Sequence, residues 1–121
     1  MVKADIVAQK ISEFMNNVPE VEALIATDEN GNIIAGKAVT KRDDVAIVKS
    51  ALETVKVFRG FIQKLTTEDE IPQVISSEGD KIISLILRGN GLYLIAAISP
   101  EVKATLGLMK KNLQLLVESL K

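Results

Sequence analysis

A β-hairpin at residues 21–36 is the feature that most constrains the fold of this chain. Two apolar runs flank the segment Asp28-Glu29-Asn30-Gly31, and an Asn-Gly pair supplies the positive φ angles that a tight turn requires. The two runs are therefore expected to form adjacent antiparallel strands. Since segments with helical periodicity lie on both sides of the hairpin, we expect an α+β fold.

The segments beside the hairpin predict two helices that differ in the width of their apolar face. In residues 2–17 the apolar side chains fall on one stripe, and Pro19 then ends the helix. A middle helix is predicted from Thr40 to about Leu65. Thr40 and Asp43 at its start resemble a capping box. Its apolar residues cover an arc of roughly 200°, about twice what one packed face requires. We expect this helix to bury two surfaces, one against its own sheet and one against a partner.

The candidate interface consists of the apolar stripe of the middle helix and the strand that follows it. Residues 73–77 come directly after Pro72 and mix polar with apolar side chains, as an edge strand does. The stripe could belong only to the core of one subunit, but the width of the arc favours an interface with a second copy. The predicted dimer interface comprises Val48, Ala51, Val55, Phe58, Ile62, Gln73, Val74, Ile75 and Ser76.

Two further strands and a last helix complete the predicted order. Residues 81–88 and Leu92–Ile98 are nearly continuous apolar runs, typical of central strands, and the segment 89–91 is short enough for a hairpin turn. Ser99 and Pro100 are expected to open the last helix as N-cap and first helical residue. The predicted order α-β-β-α-β-β-β-α describes a profilin-like α/β sandwich with a five-stranded antiparallel sheet and three helices.

Composition excludes several functions for the chain, which we expect to form one domain over residues 1–121. The net charge is −1, with three Phe, one Tyr and no Trp, so neither a basic field nor an aromatic platform favours nucleic acid. Cysteine and histidine are absent, which removes disulfides, soft metal ligands and the usual general base. No apolar run resembles a signal peptide or a membrane span. We expect a cytoplasmic protein without catalytic residues, metal or cofactor.

The turn of the first hairpin also has an interpretation as a calcium loop. Asp28, Asn30 and Asn32 occupy alternate positions, as the first ligands of an EF-hand do. However, Ile33 stands where that loop needs glycine, and Val39 stands where it needs a bidentate glutamate. The pattern therefore favours a plain turn.

The order of elements, residues 24–35 of the hairpin and residues 106–113 of the last helix resemble the Roadblock/dynein light chain family. The likeness spans essentially the whole chain, and its free-standing form looks like archaeal or bacterial members. The resemblance implies that the middle helix covers one face of the sheet and the terminal helices the other. It also implies a homodimer in which the middle helices pair and the third strands join two sheets into one.

The same resemblance implies a non-enzymatic regulator or scaffold. Family members bind small Ras-like GTPases or act as adaptors in dynein and lysosomal scaffold complexes, and no catalytic residue can be carried over. A small-molecule sensor is the alternative, because profilin-, PAS- and GAF-like domains share similar layouts. Such a sensor needs an internal polar group to orient its ligand, and the central strands offer only Ser84 and Tyr93.

Overall fold

The computed structural model describes residues 3–38, 74–78 and 83–120 and single positions between 50 and 64, without the side chains of 74–78, 102 and 103. The five strands are antiparallel and lie in the order β2-β1-β5-β4-β3. The elements are α1 (Ala4–Asn17), β1 (Val21–Asp28), β2 (Ile33–Ala38), β3 (Val74–Glu78), β4 (Ile83–Gly89), β5 (Leu92–Ile98), a 3₁₀ helix (Pro100–Thr105) and α2 (Leu106–Ser119).

One face of the sheet, called the first face below, forms a core with both α-helices. Each helix contributes buried apolar residues three or four positions apart, which places them on a single stripe. Burying one such side chain contributes about 1.5–3 kcal/mol. Members of this core include Val7, Ile11 and Met15 of α1, Leu106, Met109, Leu113 and Val117 of α2, and Leu24, Leu85, Leu87, Leu94 and Ile98 of the sheet.

The C-terminal end of α2 is held by side chains from two other elements. The side-chain amide of Asn90, in the turn between β4 and β5, donates to the carbonyls of Val117 (3.4 Å) and Glu118. The ammonium of Lys10 on α1 donates to the carbonyl of Ser119 at 2.7 Å. Carbonyls in the last turn of a helix lack the usual partner four residues on, so these contacts, with the bond of 3.2 Å from the Leu120 N–H to the Val117 carbonyl, satisfy the end of the helix.

The predicted fold class is wrong in its count of helices for the part of the chain that the structure describes. That part contains two α-helices and one 3₁₀ helix, not three α-helices. The predicted middle helix, residues 40–65, lies outside the described residues except at single positions. Some of these, such as Ser50 and Thr54, have helical backbone, but they do not bound an element.

The predicted start of the last helix is also wrong. Residues Pro100–Thr105 form a 3₁₀ helix, and the α-helix begins only at Leu106. The backbone N–H of Glu101 does donate to the hydroxyl of Ser99 at 3.4 Å, so the predicted cap acts on the tighter helix. The β-branched residues Val102 and Thr105 favour an α-helix less than most residues do. Within the α-helix, the buried side chains are Leu106, Met109, Leu113 and Val117.

Candidate interface on the second face of the sheet

The opposite face of the sheet, called the second face below, carries isoleucines of β1, β5 and β4 in one row, and the backbone register continues this row to β3. In the strand register Ile75 of β3 is the partner of Ile86, Ile86 of Ile95, and Ile95 of Ile25. The row ends on β2 at Gly36, where an added Cβ would lie 3.1 Å from Cγ1 of Ile25. Glycine therefore lets the last isoleucine lie across the edge strand.

Two further rows flank the isoleucines on this face. One row consists only of small residues, which lets a covering element approach the sheet closely. In the other, Thr27 is fully buried and its hydroxyl donates to the carbonyl of Asp28 at 3.0 Å, while Tyr93 is 3% exposed. The small row runs through Ser77, Ser84, Ala97, Ala23 and Ala38.

Burial on the second face falls from β1 towards β3. Ile25 is 3% exposed, whereas Ile95 and Ile86 are half-buried and Ser84 is exposed. The core cluster that α1 and α2 form with the sheet includes none of these residues. Accessible apolar surface on this face therefore lies on β5 and β4, towards β3, and also on β2, where Ile33 and Ala38 are half-buried.

The predicted interface residues fall into two groups. Val74, Ile75 and Ser76 lie in β3, which pairs with β4 and has no second partner among the described strands. The prediction of an edge strand is thus confirmed, and such a strand presents unpaired N–H and C=O groups along its outer side. The other predicted residues, Val48, Ala51, Val55, Phe58, Ile62 and Gln73, lie outside the described residues.

Sequence reasoning missed the contribution of the central strands to this surface. The sequence analysis predicts apolar strands that contain Ile25, Ile86 and Ile95 but assigns these residues to neither face. A signal was present, because alternate residues of a strand point to opposite faces. Strands that are apolar at every position must have both faces covered.

The turns of the two hairpins meet at one end of the sheet. The Asp28 carboxylate accepts hydrogen bonds of 2.9 Å from the backbone of Asn30 and from the backbone and side chain of Asn32. Partial burial alone would raise the pKa of Asp28, but these bonds, together with the nearby backbone N–H of Gly31, outweigh it, so the pKa lies below its ordinary value. Glu29 faces Arg88 of β4 at 3.9 Å, which links the two turns.

These hydrogen bonds bear on the calcium interpretation. Both oxygens of the Asp28 carboxylate act as acceptors within the turn, which is the arrangement of a closed Asx turn. Among the described residues, no group of three or more acidic side chains could hold a metal ion. The hairpin itself is confirmed by the antiparallel pairing of β1 with β2.

A shallow cleft of about 320 Å³ lies at the other end of the sheet and bears on the sensor alternative. Three of the residues that line it are glutamates, whereas small-molecule sites are mostly apolar with a few polar groups. The two polar residues of the central strands lie elsewhere, on the second face. The cleft is lined by Pro19, Glu20, Glu22, Ser99 and Glu101.

Comparisons with known proteins bear on the fold. No family model and no curated protein matches the sequence. A Roadblock/LC7 domain from Streptomyces avermitilis superposes with a TM-score of 0.70 at 17% identity, over 93% of this chain and 92% of that chain. The gliding protein MglB from Thermus thermophilus gives 0.69 at 12% identity, over 96% and 91%. A structure of MglB with a tetrameric arrangement gives 0.63 at 12% identity, over 98% and 93%.

These matches extend over nearly the full length of both chains. No described helix has the length and apolar character needed to cross a membrane. At identities this low the likeness concerns the fold, and the resemblance inferred from the sequence is confirmed at that level. This chain has the fold of Roadblock/LC7 domains.

Proposed function

We propose that this chain is a non-catalytic homodimeric regulator or scaffold, and that its dimer binds a small Ras-like GTPase or a multiprotein complex. In the dimer, the β3 strands of two copies pair edge to edge. The middle helix of each copy covers the second face and meets the helix of the other copy through the stripe around Val55. This arrangement joins the two sheets and covers the accessible part of the isoleucine row.

The observation that carries the proposal is the position of β3. Among the described strands it lies at the edge, and the register places Ile75 beside Ile86 in a row whose exposure rises from Ile25 to Ile95 and Ile86. An open edge beside apolar surface is a template for pairing with another chain, and closed two-fold dimers are the commonest assembly of identical chains. The likeness to MglB, which has been found in a tetrameric arrangement, supports self-association.

The first experiment measures the mass in solution by light scattering during size-exclusion chromatography over a range of concentrations. We expect a dimer, and we expect Val55→Glu to yield a monomer because it places two unpaired charges near the symmetry axis. Val57→Glu is the matched control, since Val57 has helical backbone and is 73% exposed. A wild-type monomer, or a Val55→Glu protein that remains a dimer, would contradict the proposed interface.

The second experiment tests the partner. Each small Ras-like GTPase encoded by the same organism is mixed with the purified dimer, in its GDP form and in a GTP-analogue form. We expect one GTPase to co-elute in one nucleotide state and its nucleotide release or hydrolysis rate to change. If a stable dimer binds none of them, the GTPase role is wrong while the dimer stands.

A further inference from the structure

The chain contains the dipeptide Asn-Gly twice, at Asn30-Gly31 and at Asn90-Gly91, and each forms the turn of a hairpin. Asn-Gly is the dipeptide in which asparagine loses its side-chain amide (deamidates) most readily, because glycine has no side chain to hinder attack by its own backbone nitrogen. The two sites have the same reacting dipeptide. Any difference in their reactivity in the folded protein must come from their surroundings.

The reaction needs no enzyme, only water. The backbone nitrogen of the glycine, after losing its proton to a base, attacks Cγ of the asparagine. A C–N bond forms, the bond from Cγ to Nδ2 breaks, and Nδ2 leaves as ammonia, which gives a five-membered succinimide. Water then opens the ring at either carbonyl and yields aspartate or isoaspartate. The net change is that an amide and water become a carboxylate and an ammonium ion.

At Asn90 the fold restrains the group that must move. The Asn90 side-chain amide donates to the carbonyls of Val117 and Glu118. Swinging Cγ towards the backbone nitrogen of Gly91 breaks both hydrogen bonds and leaves two carbonyls at the end of α2 without this partner. The reacting carbon is therefore held away from the nucleophile for as long as α2 is in place.

At Asn30 the restraint is weaker. The Asn30 side chain is exposed and makes no hydrogen bond to the residues that the structure describes. The nucleophile is restrained instead, since Gly31 is buried and its N–H donates to the carbonyl of Asp28. That bond is 3.2 Å long, at the long end of the range for N–H···O bonds, and it lies within an exposed turn. Opening it disturbs no helix and no strand pairing.

We infer that Asn30 is a site of spontaneous deamidation in the folded protein and that Asn90 is protected by the end of α2. The product at Asn30 adds a carboxylate beside Asp28 and Glu29. Isoaspartate also lengthens the backbone of the turn by one methylene. The protein then acquires a more acidic form as it ages, and the change is confined to the turn between β1 and β2.

The test follows both sites by peptide mapping with mass spectrometry, during incubation of the full chain in mildly alkaline buffer. We expect Asn90 to react roughly tenfold or more slowly than Asn30 in the folded protein, because two hydrogen bonds must open first. In urea that unfolds the chain, both sites should react at similar rates. Asn30→Gln is the matched control, since its longer side chain forms the ring far more slowly, and it should remove the early acidic form.

Two results would overturn the inference. Equal rates at the two sites in the folded protein would show that the contacts with α2 give no protection. The second result is that Asn30 stays intact in the folded protein for as long as both sites need to react in the unfolded chain, whether or not Asn90 reacts. This would show that the hydrogen bond of Gly31 protects the first turn.

Discussion

Both hairpin turns contain the dipeptide Asn-Gly, but the two turns are stabilised in different ways. In the turn between β1 and β2, one carboxylate, that of Asp28, collects three hydrogen bonds from residues two and four positions along the chain. In the turn between β4 and β5, Asn90 adopts a positive φ of 52° and directs its amide to α2, 27 and 28 residues away. The first turn is stabilised locally and the second by tertiary contacts.

The difference shows that the same turn dipeptide can contribute to the stability of the fold to different extents. A local turn can be lost without moving the rest of the fold. The turn at Asn90 positions a helix that buries its apolar stripe on the first face of the sheet. The loss of stability caused by substitutions should therefore differ between the two turns, both in size and in its dependence on pH and salt.

The largest effect is expected for Asn90→Ala. It removes the hydrogen bonds to the Val117 and Glu118 carbonyls and places a Cβ-bearing residue without a polar side chain at positive φ, for a total loss of about 2–3 kcal/mol. Urea unfolding followed by circular dichroism measures the loss. Asn90→Gly separates the two causes, since it loses the hydrogen bonds but tolerates the backbone angle. If both variants are as stable as the wild type, Asn90 does not hold α2.

A smaller effect, about 1–2 kcal/mol, is expected for Asp28→Ala, since the bonds that it removes are partly solvated. The pKa of Asp28 is lowered in the folded state, so its contribution is present above the ordinary aspartate pKa. It is lost as the pH falls below about 4 towards the folded-state pKa. Unfolding measured from neutral to acidic pH should show this loss in the wild type but not in Asp28→Ala. Parallel pH profiles would contradict the role of the carboxylate.

The smallest effect is expected for Glu29→Gln, which removes the charge opposite Arg88. The two groups are 3.9 Å apart with side chains 27% and 49% exposed, and exposed ion pairs typically contribute about 0.2–1 kcal/mol. The difference from the wild type should shrink further in high salt. A salt-independent loss larger than that of Asp28→Ala would reverse the proposed ranking.

Local signals were sufficient to predict the hairpins and the edge strand. Asn30-Gly31 and the segment 89–91 each specify a turn through their own backbone preferences. Pro72 and the mixed residues after it identified β3 as an edge strand, which the sheet order confirms. These predictions held because the decisive interactions lie within a few residues of each other.

Long-range contacts account for what the sequence did not predict. No local pattern indicates that Asn90 contacts the carbonyls of α2 or that Lys10 reaches Ser119. The start of the last helix was misplaced because Ser99 and Pro100 begin a 3₁₀ helix equally well. The isoleucine row appears only when the strands are placed in register, since Ile25, Ile86 and Ile95 lie far apart in the sequence.

The position of β1 in the sheet has a consequence for how the chain folds during synthesis. β1 pairs with β2 directly after it, but its other side pairs with β5, so that Val21 meets Ile98. On the ribosome the first hairpin can form early while one side of β1 stays open until β5 emerges. Non-local pairing of this kind slows folding and exposes strand edges to aggregation. The nascent chain should therefore benefit from chaperones until its last strand has been made.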